Sequence, residues 1–350
     1  MTRARKRSSR KKKRRPAAAV AAILIIAAIC IAGFYYTGTA VDGSDTAVHY
    51  VTVTAGSGSR EIADQLKKQG LIRSRAGFLV RARLCGRAAL QSGTYALRRS
   101  MSCSEIIDRI ADGDVAAQSF TIAEGTPLYK IAEQLDEAGI CSRKAFYREV
   151  EHGRFDYDFL DGATAGSARL EGFLYPDTYV VPMKASAHTV IDAMLRRFDE
   201  VIGSRRGIRR TVIKASIIQK EAGSGDGEMK KVSSVIDNRL AAGMPLQMDS
   251  IISYIHKEDK IRATWSDIRV KSNYNPYTNK GLPPGPICSP GKEAIYAALH
   301  PAATDYLYFV ASAKMDGTNV YTKTYKEFLK NKKAFDKAYE AYVKEHPGEQ

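Results

Sequence analysis

Paired cysteine spacing is missing from this chain. Its five cysteines, Cys30, Cys85, Cys103, Cys141 and Cys288, are an odd set without a C-x-x-C, which excludes a disulfide framework and denies a zinc site its thiolate pair. H-E-x-x-H is missing too and the six histidines are scattered, so no metal and no cofactor are expected. Acidic residues are absent from the first sixteen positions, MTRARKRSSRKKKRRP, which hold ten Lys or Arg. The formal charge of +16 therefore falls to 16 − 10 = +6 over the remainder. The basic excess is mostly a tail, and nucleic acid is not an expected partner. With 44% hydrophobic and 26% charged residues over 350 positions, the composition is that of a globular chain long enough for two domains.

Directly behind the basic tail (1–16) lies an uncharged run, Ala17 to Tyr36. As a helix it would cross roughly 30 Å of hydrocarbon, with Tyr35 and Tyr36 at an aromatic interface belt. Polybasic flanks stay on the cytoplasmic side and attract anionic headgroups, so the expectation is a single-pass span (17–36) in the cytoplasmic membrane, N-terminus inside and the rest extracytoplasmic. The small residues of GTAVDG would also permit a cleaved signal peptide, but the run exceeds an ordinary signal core and a retained anchor is preferred. Residues 37–50 are small and polar, as in a short juxtamembrane linker.

The body contains a repeat. Ile62-Ala-Asp-Gln-Leu66 followed by Gly70 matches Ile131-Ala-Glu-Gln-Leu135 followed by Gly139 at an offset of 69 residues, and SRAGF at Ser74 returns as SRKAF at Ser142. Each unit reads as a strand, a Gly-containing turn and an amphipathic helix. They resemble LysM-like modules, which bind N-acetylglucosamine-containing glycans; two α+β units packed as a stalk without glycan contact is the alternative. The expected divisions are 51–119 and 120–168 for these units and 169–345 for a mixed α/β domain, an α+β chain altogether.

In KASIIQKEAGSGDG, the series Ile213, Ile217, Glu221 sets one carboxylate on an apolar helix stripe, with Lys214 and Lys220 off it and Gly223 as the expected stop. On a stripe facing a core, apolar walls and the negative helix end would both disfavour ionisation, as a proton donor requires. A frayed surface glutamate paired with a lysine is the plainer alternative. Elsewhere the inventory of a sugar groove recurs: Glu171, Tyr175 and Asp177; Gln247 and Asp249; and, in a long Pro/Gly loop, Asn273, Tyr274, Asn275 and Tyr277. Each also has a simpler use, Glu171 as a cap, Asp177 as a turn residue, Tyr274 and Tyr277 as loop packing.

LEGFLYPDTY, ASIIQKEAG, VSSVIDNRLAAGMPLQMDS, YNPYTNKGLPPGPI and HPAATDYLYFVAS, in that order, resemble the signature segments of the MltG (YceG-like) endolytic murein transglycosylase family. The resemblance covers about Val51 to Phe328. It implies a membrane-anchored enzyme cutting nascent peptidoglycan glycan strands, with penicillin-binding protein synthases as candidate neighbours and Glu221 as the catalytic glutamate. Pro276, where the family usually has Thr, Ser250, where Pro often follows the Asp, the ending ICSPG and Phe328, where His is common, depart from the pattern. A lytic transglycosylase needs one carboxyl group, acid then base, whereas a muramidase would need a second, Asp249 or Glu171. A tethered glycan-binding scaffold remains the non-enzymatic alternative.

Overall fold

The computed structural model describes residues 14–162, 166–203, 207–223, 227–258 and 264–345. Most of the basic tail lies outside the described residues. The chain divides into two compact units, one running to Gln118 and the other from Ser119.

The first unit opens with helix α1 (Arg14–Gly38), whose Ala19–Gly38 part is long and apolar enough to cross a membrane. The helix outruns the expected end at Tyr36 by two residues. Beyond it come β1 (His49–Val53), α2 (Ser59–Lys68), α3 (Arg75–Leu84), β2 (Gly93–Leu97) and α4 (Cys103–Asp112). β1 and β2 pair antiparallel, from His49 opposite Leu97 to Val53 opposite Gly93. Their alternation sends Val51, Val53, Tyr95 and Leu97 onto Ile62, Ala63 and Leu66 of α2, as a two-residue period against a helical stripe demands. The residues after α1 are not a free tether: Asp42 N donates to Arg99 O (3.1 Å) and Ser100 N to Asp45 O (3.2 Å).

The second unit starts within β3 (Ala117–Thr121) and continues through α5 (Leu128–Glu137), α6 (Arg143–His152), β4 (Thr178–Pro182), α7 (Ala187–Ile202), α8 (Arg209–Glu221), α9 (Glu228–Ala241), α10 (Asp249–His256), α11 (Lys292–Leu299), β5 (Tyr308–Ala311), β6 (Asn319–Thr322) and α12 (Tyr325–Glu345). β3 pairs with β4, and β5 pairs antiparallel with β6. The architecture is mixed α+β.

The repeat is real at the level of backbone chemistry. Ser74 and Ser142 each cap a helix, accepting from Gly77 N (3.2 Å) and Ala145 N (3.3 Å), so equivalent serines start α3 and α6. Gly70 and Gly139 both take a left-handed φ, +69° and +67°, after α2 and α5, where a side chain would be strained. Both repeats are thus strand–helix–helix–strand. The second one closes with β4, beyond the expected division at residue 168, and that division has no counterpart in the packing. A single core joins Ile131, Leu135 and Phe146 to Phe173, Phe198, Ile217, Ile236 and Ile295, because α6 packs on α7 as well as on α5 and the repeat's apolar faces enter this larger core.

Candidate active site

α8 carries Glu221 as its final residue. Val212, Ala215, Ile217 and Ile218 are wholly buried, and α8 packs against α9, α10 and α11. The expected stripe is broader than one face: Lys214, expected outside it, is buried at 6% exposure. Its ammonium is compensated by Asp237 Oδ2 at 2.6 Å and Ala298 O at 3.3 Å. Desolvation nevertheless holds its pKa below the usual lysine range. The helix also ends differently from expectation. Ala222 leaves it in an extended conformation, and Gly223 is required because a Cβ there would collide with the carbonyl oxygen of Gly317.

At this end Glu221 is only partly accessible. Burial of its carboxyl raises the pKa above the ordinary range. Ser250, through hydroxyl and backbone N–H, and the more distant charge of Arg239 oppose the rise, while Asp249 reinforces it. Ser250 N donates to Glu221 Oε1 at 3.2 Å. Ser250 occupies the first turn of α10, where backbone N–H groups have no intrahelical acceptor and face an anion favourably. Asp249, one residue earlier, accepts from the Tyr277 hydroxyl at 2.5 Å. The site therefore joins the end of α8 to the start of α10 and to the Pro/Gly loop.

Arg239, on α9, completes this group. It is 7% exposed. Its guanidinium donates to Leu307 O (2.7 Å), Leu246 O (2.6 Å), Pro245 O (3.2 Å) and Gln247 Oε1 (3.4 Å), and lies 5.1 Å from the Tyr308 ring centroid. These acceptors are mainly neutral carbonyls, so its positive charge is left to act on Glu221. Gln247 is held with φ +52°, an uncommon conformation for a side-chain-bearing residue, and its N donates to Pro276 O at 3.1 Å. That bond ties the Gln247 segment to the Pro/Gly loop.

The remaining expected residues do not all converge here. Glu171 is 2% exposed and works as a cap: both its oxygens accept from Leu128 N, the first N–H of α5, at 3.0 and 3.2 Å, and Oε2 also accepts from the Tyr254 hydroxyl at 3.0 Å. Burial pushes its pKa up to about 7 against those hydrogen bonds. Tyr274 packs on Tyr254 with ring centroids 5.5 Å apart. This second cluster borders a cleft of about 490 Å³ lined by Tyr129, Tyr147, Glu171, Tyr254, Lys257 and Ser272. The clusters at Glu221 and Glu171 are bridged by α10, which presents Ser250 to one and Tyr254 to the other.

Asn275 is fully buried. Its amide donates to Ile268 O (2.9 Å) and Val270 O (2.8 Å) and accepts from Tyr277 N (2.9 Å), which exhausts its amide hydrogens. It shapes the loop rather than facing a ligand, whereas Asn273 is exposed. Tyr175 lies elsewhere, buried beside Glu124 with its hydroxyl at the backbone N–H of Lys292. Asp177 accepts from Arg197 Nε and from Thr178 N, each at 2.7 Å, and these bonds hold its carboxyl below the usual range. Sequence reasoning missed Arg239, Ser250 and Tyr254 as members of these clusters. Ser250 stands out in the sequence only as a departure from a family pattern. Among the described residues, no three His, Cys, Asp or Glu side chains converge as a metal site.

A partly accessible carboxyl group at a helix end, desolvated and with a second carboxylate, an arginine and a loop tyrosine near it, in an α+β chain that begins with an apolar helix, is the setting of an acid disposed to give up a proton. The family model of the YceG-like family matches residues 51–334, and the chain belongs to that family. Among its relatives is the endolytic murein transglycosylase of Bacillus subtilis (strain 168), 32% identical over an alignment of 312 positions that covers 83% of this chain and 86% of that protein. The protein of the same description from Streptococcus pneumoniae (strain D39) is 30% identical over 305 residues, 75% of this chain but 54% of the relative. A crystal structure of a yceG-like protein from Listeria monocytogenes superposes with a TM-score of 0.53 at 29% identity, covering 81% of this chain and 99% of that one.

Proposed function

We propose that this protein is an endolytic murein transglycosylase that cleaves the β-1,4 bond between N-acetylmuramic acid and N-acetylglucosamine, with Glu221 as its acid and base. The observation that carries the reading is the Glu221 carboxyl at the end of α8, whose desolvation raises its pKa and so favours the protonated form that an acid needs. Protonated Glu221 gives its proton to the glycosidic oxygen as the bond to C1 of the muramic acid breaks. The resulting carboxylate takes the proton of the same sugar's C6 hydroxyl while that oxygen bonds to C1. The products are a 1,6-anhydro-N-acetylmuramic acid end and a new N-acetylglucosamine end, with no water consumed. Ser250 N–H steadies the carboxylate between the two transfers, and Arg239 lessens the cost of its charge. Gln247, Asp249, Asn273, Tyr274 and Tyr277 are the side chains assigned to the glycan.

In the same reading α1 anchors the enzyme in the cytoplasmic membrane with its N-terminus inside, and both strand–helix–helix–strand repeats are LysM-like and add glycan affinity. Cutting nascent strands there would end their elongation beside penicillin-binding protein synthases. One alternative has a specific observation behind it. Asp249 is close enough to raise the pKa of Glu221 and could activate water as the second carboxylate of a muramidase.

The decisive experiment digests purified glycan strands in oxygen-18 water with wild type and Glu221→Gln. The single-acid reading expects an unlabelled anhydro terminus from wild type and a loss of turnover on the order of a thousandfold in the variant, with folding retained. Label at the new muramic terminus would transfer the second step to Asp249. Undiminished activity of the variant would remove Glu221 from the mechanism.

A further inference from the structure

The first unit grips the end of α1. Arg73 Nη2 donates to Ala40 O (2.7 Å) and Val41 O (3.1 Å) and Nη1 to the Tyr36 hydroxyl (3.1 Å), with the guanidinium 4.7 Å from the Tyr36 ring centroid. One turn further, Gly77 packs on the Thr37 hydroxyl. Another turn on, Arg81 donates to Phe34 O and covers the Phe34 ring at 3.9 Å. As the chain advances along α3, its partners step back along α1, from residues 40–41 to 37 to 34. α3 therefore runs antiparallel to α1, toward the apolar part of that helix.

The tip of α3 is what this direction delivers to the membrane side. Leu84 is 72% exposed and Val80, one turn before it, 47% exposed, and Arg83 between them is exposed as well. Val80 and Leu84, one helical turn apart, form one small apolar patch on the solvent side of α3, next to the apolar helix α1, while Phe78 and Ala82 face the core. The charge pattern identifies the contact: from Gln65 to Ser104 there are nine Lys or Arg and no Asp or Glu. Some of these cations are engaged within the unit, Arg75 by Asp64 and Arg87 by Asp112, but none has an acidic neighbour inside the stretch. Aliphatic side chains flanked by arginine stems and heads suit the boundary between acyl chains and anionic headgroups.

We propose that the C-terminal tip of α3 is a second membrane contact, with Val80 and Leu84 seated in the headgroup–acyl boundary beside α1 and Arg83 against anionic phospholipid headgroups. This rests on the reading of α1 as a membrane span. Its consequence is that the first unit is clamped flat on the bilayer rather than swinging on a tether.

The test uses the full chain in lipid nanodiscs containing phosphatidylglycerol, with its own cysteines replaced by serine and one environment-sensitive fluorophore on either Leu84→Cys or Ile26→Cys. The expected result is blue-shifted emission at both positions. Nitroxide lipids labelled near the headgroup should quench position 84, and those labelled deep in the chain should quench position 26. Exchanging phosphatidylglycerol for phosphatidylcholine should weaken quenching at 84 and leave 26 unchanged. Water-like, unquenched emission at 84 with normal quenching at 26 overturns the proposal while leaving the anchor intact. Absence of quenching at both overturns the anchor and the proposal together. Disulfide cross-linking between two copies of the Leu84→Cys chain, without lipid quenching, overturns it in favour of a second copy covering the face.

Discussion

Replacing Glu171 by Gln should change how stability depends on pH, and by an amount the structure sets. The carboxyl group is buried, and its pKa is pushed from 4.5 to about 7. The difference, 7 − 4.5 = 2.5 units, corresponds to about 3 kcal/mol at roughly 1.36 kcal/mol per unit. Below the unfolded pKa the group is protonated in both states and ionisation costs nothing. Between about 4.5 and 7 the unfolded chain loses this proton first, so the folded state binds the extra proton and stability falls as pH rises. Above the folded pKa the deficit is complete and constant. The glutamine of the variant is neutral throughout and still offers a carbonyl oxygen to Leu128 N. The stability of wild type relative to Glu171→Gln should therefore drop by about 3 kcal/mol from pH 4.5 to pH 7.5. Urea unfolding of both proteins at half-unit pH intervals, followed by circular dichroism, measures it. A stability difference that stays level across the interval would refute the claim that Glu171 is folded into place as a neutral acid.

Further substitutions probe α8 at Glu221 and at Lys214. Ser250→Pro removes the hydroxyl and the N–H that reaches Glu221 Oε1 at 3.2 Å, in a first helical turn where proline is tolerated. With this support for the anion gone, the Glu221 pKa should rise further, moving the alkaline limb of the activity profile up by about one pH unit. An unmoved limb in pH-rate measurements would mean that Ser250 does not tune the acid. Asp237→Ala should destabilise the fold by about 2 kcal/mol by stranding the buried Lys214 ammonium, discounted because Asp237 itself is half exposed. Lys214→Met combined with Asp237→Ala should recover most of that loss, and thermal unfolding of the two variants, equal in Tm, would contradict this.

Much of this protein was decided by short-range pattern. Twenty uncharged residues behind a basic tail suffice for an apolar N-terminal helix, because length and composition alone set that property. The IA-x-x-L repeats announce their helices and buried faces, and the phase of Ile213, Ile217 and Glu221 puts one carboxyl in line with the apolar stripe of α8. Tertiary structure decided what that carboxyl meets. Ser250, 29 residues away, brings its N–H to Glu221, while Tyr254 meets Glu171 across 83 residues. No local period encodes such meetings, since they depend on how helices of different origin cross. For the same reason the single groove expected from Glu171, Tyr175, Gln247 and the loop separated into two clusters bridged by α10, with Tyr175 outside both. Asn275 became interior scaffolding, and Lys214 was drawn into the core where Asp237 could compensate its charge. Periodicity determines which face of an element is buried; only the packed elements around that face determine whether a polar group on it is solvated, paired or left poised to exchange a proton.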